Sequence, residues 1–195
     1  MASVRTDEFT EGMGARFDQT LTAAKAGGEW AWRELYRGTA PTLARYLRGR
    51  GVPDVEDVVG DTFVRVVRHV DGFVGDEGAF RTWVFTIARH LVVDSARRRE
   101  RRPSDATPDV TLRTLGPVGN AEDEAMAVIG TAGVHAALEG LTAEQRDVVL
   151  LRVLGDLSIA EVAQVLGRRE GSVKMLQSRA MATLRRTFPD GPVTP

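Results

Sequence analysis

Between Arg168 and Arg186 six cations, Arg168, Arg169, Lys174, Arg179, Arg185 and Arg186, stand against one acid, Glu170, a net charge of +5. Guanidinium and ammonium groups at that density can pair with phosphates, and some can read guanine edges in a duplex groove. The whole chain carries 26 Lys and Arg against 27 Asp and Glu, a net charge of −1, so the positive charge is local. Local charge of this kind is the footprint of a polyanion partner. The competing reading is an ordinary solvated helix face.

The element that must position these cations decides between the two. Ala163, Gly167 and Val173 give a small residue, a glycine four later and a β-branched residue six after that, with Val162, Leu166, Val173 and Leu176 pointing inward. That spacing predicts a helix-turn-helix from Ile159 to Ser178, in which one helix braces a second that enters a major groove. Two capping boxes frame it: Thr142 precedes Gln145 by three residues, and Ser158 precedes Glu161 by three. Helices are therefore expected to open at Ala143, ending near Leu154 before Gly155, and at Ile159, ending at Leu166. Gly167 supplies the left-handed exit, and a further helix runs from near Glu170 to Arg186. A helix from about Ala121 to Glu139 precedes the group.

The first half carries a second set of helices. Apolar residues from Asp18 to Arg48 recur at helical spacings and predict two helices bending near Pro41. Val55, Val58, Val59, Thr62, Phe63, Val66, Val67 and Val70 form one stripe, with Asp54 placed as an N-cap. The glycines Gly72, Gly75 and Gly78 mark a loop. After it Phe80, Trp83, Val84, Ile87, Ala88, Leu91 and Val92 repeat the stripe up to the arginine run Arg97–Arg102. By that period Trp83 and Ile87 belong to the core.

Pro103 to Asn120 has three prolines, two glycines and no amphipathic period, the composition of a linker. From Pro103 to Val134 five acids face Arg113 alone, a charge of −4 that repels a polyanion. The expected architecture is all-α: a disordered tail over residues 1–17, a helical domain over 18–102, a flexible linker over 103–120, a second helical domain over 121–187, and a tail over 188–195.

Several functions are excluded or disfavoured. With no cysteine, thiolate chemistry and Cys-based zinc sites are impossible. There is no Walker loop, no His-Glu-x-x-His and no nucleophile elbow, and His69, His90 and His135 are scattered, so neither an enzyme nor a cofactor or metal site is expected. No apolar run reaches the roughly 18 residues of a membrane span, and Met1–Thr20 lacks a signal-peptide core. A cytoplasmic protein without membrane insertion is expected.

Two blocks carry a family resemblance. Asp57-Val58-Val59-Gly60-Asp61-Thr62-Phe63, Phe80 through Arg89, and Asp94 with its arginine tail resemble the second region of extracytoplasmic-function (ECF) sigma factors, of the sigma-70 family. Leu141 through Arg146 and Ser172-Val173-Lys174 with Arg179-Ala180 resemble their fourth region. The resemblance covers roughly residues 25–102 and 122–187. It implies a factor that binds core RNA polymerase, through the beta-prime clamp helices and the beta flap, and initiates transcription at promoter DNA. An anti-sigma factor is a further implied partner.

By the same resemblance Asp54, Glu56, Asp57, Asp61 and Arg65 face the polymerase. Asp54 and Glu56 could instead serve only the helix N-terminus. Phe73, Asp76 and Glu77 form a pocket for an unstacked base of the minus-ten element, with Arg81, Arg89, His90 and Arg97 along the strand. Arg168, Arg169, Ser172, Lys174, Met175, Ser178 and Arg179 face the minus-thirty-five element. One departure stands out: many members carry a basic residue at the position of Leu176 and leucine at that of Gln177. That leaves the division between base and phosphate contacts across Lys174–Arg179 open. The main rival is a helix-turn-helix regulator that binds operators as a dimer without polymerase, which accounts for Ile159–Arg186 but not for Phe80–Arg102.

Overall fold

Gly27 takes φ +83°, and Gly28 returns its N–H to Ala23 O at 2.8 Å, so the first amphipathic stretch breaks at Ala26–Gly28 rather than near Pro41. In the computed structural model, which describes residues 16–101 and 138–187, α1 spans Phe17–Lys25 and α2 spans Glu29–Gly49. Pro41 lies inside α2, where it removes a single backbone N–H. Burial of Leu35, Thr39, Ala40, Leu43, Tyr46 and Leu47 along that helix outweighs the loss. Phe17, read from the sequence as tail, is the buried first residue of α1, and its ring meets Phe80 at 5.6 Å.

Helix α3 spans Val55–His69, followed by one 3₁₀ turn at Val70–Gly72, and α4 spans Glu77–Arg101. Val55, Val59, Thr62, Phe63 and Val66 form the buried stripe of α3. Val58 is only partly buried and Val67 is exposed, because both lie at the edge of that stripe. Asp54 occupies the N-cap position but makes no capping hydrogen bond. Its backbone, at φ −105° and ψ 67°, departs from the extended geometry that aims a cap side chain at the first-turn N–H groups. On α4 the buried face is Phe80, Val84, Phe85, Ala88 and Leu91, while Trp83 and Ile87 are partly buried against it. Phe85, absent from the expected stripe, packs edge-on against Tyr46 with centroids 5.3 Å apart.

In the second module α5 spans Ala143–Val153, α6 spans Ile159–Leu166 and α7 spans Glu170–Thr187. Both capping boxes form as expected. Thr142 Oγ1 accepts from Gln145 N at 3.3 Å and Ser158 Oγ accepts from Glu161 N at 3.2 Å, while each partner side chain accepts the cap residue's own N–H. Ser158→Ala is therefore expected to cost about 1 kcal/mol of stability, read as a lower urea midpoint with an unchanged slope. The linker at 103–120, most of the helix expected over 121–139, and both terminal tails apart from Arg16 and Phe17 lie outside the described residues.

The two modules pack directly on each other, α6 against α4 and α5 against α2. Buried residues of both, from Phe17 to Ala180, join into one cluster. Among the described residues every regular element is helical.

Candidate polymerase and nucleic-acid interface

Gly167 adopts φ +61°, and the Arg168 N–H returns to Ala163 O at 2.9 Å, closing α6 and turning the chain into α7. Ala163 is buried where the helices approach, and Val162, Leu166 and Val173 point inward with it. Leu176 and Gln177 are both partly buried, so the inward contact straddles these two positions. The opposite face of α7 is open to solvent. Lys174, Met175, Ser178 and Arg179 are exposed there with Arg169 of the turn, while Ser172 is half-buried. Arg168 is also exposed but is held by Glu144 at the start of α5. Arg179, Arg185 and Arg186 line an open cleft of about 620 Å³ with Gln145, Ala182 and Thr183. The arrangement is an exposed cationic helix on an apolar brace, suited to a duplex groove.

A second surface lies on α3. Asp54, Glu56, Asp57, Asp61 and Arg65 are all exposed, and Arg48 pairs with Glu56 at 2.9 Å. Val64 and Val67, 47% and 51% exposed, border this row and make the face partly apolar. Acids beside exposed apolar side chains suit a basic protein surface better than a nucleic acid.

The loop between α3 and α4 is fixed by an aromatic cluster. Phe73 stacks on Trp83, centroids 5.1 Å apart at 19°, and meets Phe80 edge-on at 5.6 Å. Lys25 Nζ donates to Phe73 O at 2.6 Å and to Asp71 O at 3.5 Å, tying α1 to the loop. Asp76 Oδ1 accepts from Ala79 N at 2.8 Å and caps α4. Glu77 pairs with Arg81 at 3.2 Å, so it is not a free pocket acid. His90 and Arg97 are exposed on the outer side of α4.

Arg81 and Arg89 do not run along an open strand path with them. Arg81 Nη1 lies 3.5 Å from Gly155 O and 3.9 Å from Asp156, and Arg89 Nε lies 3.9 Å from Asp147, all in the second module. For Arg89 the partner is a buried carboxylate. Asp147 is 3% exposed, ion-paired to Arg50 Nε at 2.9 Å and hydrogen-bonded by Tyr46 OH at 3.2 Å. Burial pushes the Asp147 carboxyl above its usual range, against the pull of Arg50, Arg89 and the Tyr46 hydrogen bond. Burial likewise raises the Tyr46 phenol, and the Asp147 charge adds to it. Among the described residues Arg50 Nη1 and Arg89 Nε are buried without a hydrogen-bond partner. Arg50 and Asp147 belong to no motif in the sequence, and Tyr46 falls there only among the apolar residues at helical spacing; the available signal for Asp147 is an acid set beside Val148, Leu150 and Leu151 on a face that should be apolar.

This geometry can be set beside known proteins. Residues 34–102 match the family description "Sigma-70 region 2", and residues 132–184 match "Sigma-70, region 4". Among curated proteins the chain is 34% identical over 178 residues to the ECF RNA polymerase sigma factor BldN of Streptomyces coelicolor, covering 90% of this chain and 67% of BldN. To SigL, an ECF RNA polymerase sigma factor of Mycobacterium tuberculosis, it is 32% identical, covering 89% of this chain and 98% of SigL.

The chain belongs to the ECF family of RNA polymerase sigma factors.

The region 2 match runs from within α2 to the end of α4, and the region 4 match takes in α5, α6 and most of α7. As a sigma factor it binds core RNA polymerase, recognises promoter elements and initiates transcription. The solved structure of CnrH in complex with the cytosolic domain of CnrY is similar at TM-score 0.60 and 26% identity, over 89% of this chain and 97% of CnrH. RpoE of Bartonella quintana, crystallised with the anti-sigma factor NepR, shares the fold at TM-score 0.61 and 22% identity, over 81% of this chain and 96% of RpoE. Among the described residues no helix is long and apolar enough to cross a membrane.

Proposed function

We propose that the two modules divide the sigma factor's work by surface. Asp54, Glu56, Asp57, Asp61 and Arg65 engage the clamp helices of the largest polymerase subunit. Phe73, Asp76, Glu77, Arg81, Arg89, His90 and Arg97 take the unpaired minus-ten strand. Arg168, Arg169, Ser172, Lys174, Met175, Ser178 and Arg179 take the minus-thirty-five duplex. The domain boundaries set out from sequence stand in this proposal, with the first module beginning at Phe17. The observation that carries the reading is the exposed cationic face of α7 on its buried Val162–Ala163–Val173 brace. Supporting it, the exposed acid row of α3 has the opposite chemistry, so one chain offers separate faces to a protein and to DNA.

The factor acts in the cytoplasm, as a non-enzymatic initiator that lends its contacts to the polymerase's own chemistry. An anti-sigma partner is part of the proposal, supported by the similar CnrH, solved in complex with the cytosolic domain of CnrY. Formation of a one-to-one complex with core polymerase on a native gel tests the reading. A dimer that binds duplex operators and ignores polymerase would replace it with the repressor-like alternative.

A further inference from the structure

The loop that the proposed function gives to the melted strand is tied down at several points, and one tie comes from far away in the chain. Phe73 N returns to Val70 O at 3.0 Å, Asp76 caps α4 through Ala79 N at 2.8 Å, and the Phe73 ring lies on Trp83. The distant tie is Lys25, at the end of α1. Its Nζ donates to Phe73 O at 2.6 Å and to Asp71 O at 3.5 Å, 48 and 46 residues along the chain. A lysine in the last turn of a helix is ordinarily explained by the helix dipole, which any cation there satisfies. Here the ammonium instead reaches the carbonyls of another segment, in charge-assisted bonds roughly twice as strong as neutral ones. The helix behind it is a fixed support, because Phe17, Thr20, Leu21 and Ala24 are buried and Phe17 meets Phe80.

We propose that Lys25 is a positioning residue for minus-ten recognition: by holding the Asp71 and Phe73 carbonyls it sets the direction in which residues 74–76 face, and so the factor's preference among minus-ten bases. The inference rests on the reading of this loop as a contact for the unpaired strand, and adds to it a residue of α1 that acts through the loop. The Phe73 carbonyl belongs to the planar peptide unit that joins Phe73 to Val74, so holding its oxygen stops that unit from rotating. Val74 is 90% exposed and Asp76 is exposed, so the side chains that follow the held peptide are the ones open to an incoming strand. On its other side the loop has no slack. A Cβ at Gly75 would lie 2.7 Å from Ala79 Cβ and 3.2 Å from Phe73 Cζ. With the ammonium removed the peptide is free to turn, and the loop samples several orientations. Discrimination is a difference of affinities, and it erodes once the site fits several bases equally. Strand affinity drawn from cation–phosphate contacts changes much less.

The test uses the complex with core polymerase and a fluorescent non-template strand carrying the minus-ten element of a promoter that the factor transcribes, beside the same strand altered one minus-ten base at a time. Lys25→Met keeps an unbranched stem and removes the donors. It is expected to lower the preference for the native over the altered strands at least about fivefold, with core-polymerase affinity and melting temperature close to wild type. Lys25→Arg retains a cation that can donate to both carbonyls and is expected to keep most of the preference. An unchanged preference in Lys25→Met overturns the proposal. So does equal weakening on native and altered strands, which marks a structural or phosphate contact alone, and so does an arginine variant as indiscriminate as the methionine one. Should Lys25→Met fail to fold, Lys25→Gln, neutral and one atom shorter, takes the same test with the same outcomes. A wild-type complex with no base preference sinks the minus-ten reading itself, and the role of Lys25 with it.

Discussion

Phe80→Ala is expected to lower the stability of the protein by about 3–5 kcal/mol, the range for deleting a buried aromatic side chain. Phe80 is 1% exposed and touches three other rings, with centroids at 5.6 Å from Phe17, 5.6 Å from Phe73 and 5.9 Å from Trp83. The cavity left behind is bounded by α1, the loop and α4, three segments that cannot all collapse into it. Urea denaturation followed by circular dichroism measures the loss, and a change under about 1 kcal/mol contradicts the ring cluster as the loop's anchor. Phe80→Leu fills part of the space and is expected to recover a substantial share of the loss. The functional consequence is specific: Phe73 loses its edge contact, and the loop that carries Phe73 and Asp76 is released before the rest of the module.

The second large effect concerns association rather than folding. Asp57 and Asp61 lie one turn apart on α3 and are both exposed. Replacing both with lysine is expected to weaken core-polymerase binding by roughly 100-fold, about 2.7 kcal/mol, because like charges would meet a basic partner surface. Stability should fall by no more than about 1 kcal/mol, since Asp57 supplies only a first-turn dipole contact and Asp61 is solvated. Fluorescence anisotropy of labelled factor against core polymerase gives the affinity, and circular dichroism melting gives the control. Unchanged affinity would remove α3 from the interface and leave its acids as solubilising charge.

These two predictions draw on different kinds of information, and the sequence carried them unequally. Local chemistry was legible. The Thr142–Gln145 and Ser158–Glu161 boxes, the left-handed Gly167 and the inward Val162 and Val173 all depend on residues within one turn or one helix pair, and all stand where the pattern placed them. Backbone breaks were less legible. Pro41 looked like the stronger breaker, yet Gly27–Gly28 made the turn, because a buried face can absorb one missing N–H and a positive φ needs glycine. On α4 the stripe places Phe80, Val84, Ala88 and Leu91 in the core as its period requires, with Trp83, Ile87 and Val92 partly buried, while Phe85, outside that stripe, takes a fully buried place against Tyr46.

Long-range placement was not legible at all. Tyr46 and Asp147 stand 101 residues apart and meet only when the modules pack, and nothing in either local pattern names the other. The same applies to Arg81 and Arg89. The family resemblance implies them as strand contacts, but their pairing with Gly155, Asp156 and Asp147 follows from how the second module lies on α4. Helix boundaries come from capping and periodicity, whereas the seam between modules comes from shape complementarity at Gly49 and Gly78 and from one buried acid.

Run-off transcription by purified core polymerase plus this chain, on a cognate promoter whose minus-ten and minus-thirty-five elements are scrambled one at a time, tests the central claim most directly. The account predicts a discrete transcript from the intact promoter, its near-complete loss when the minus-ten element is scrambled, and a strong reduction when the minus-thirty-five element is scrambled. A transcript that depends on neither element, or none above core polymerase alone, would contradict it.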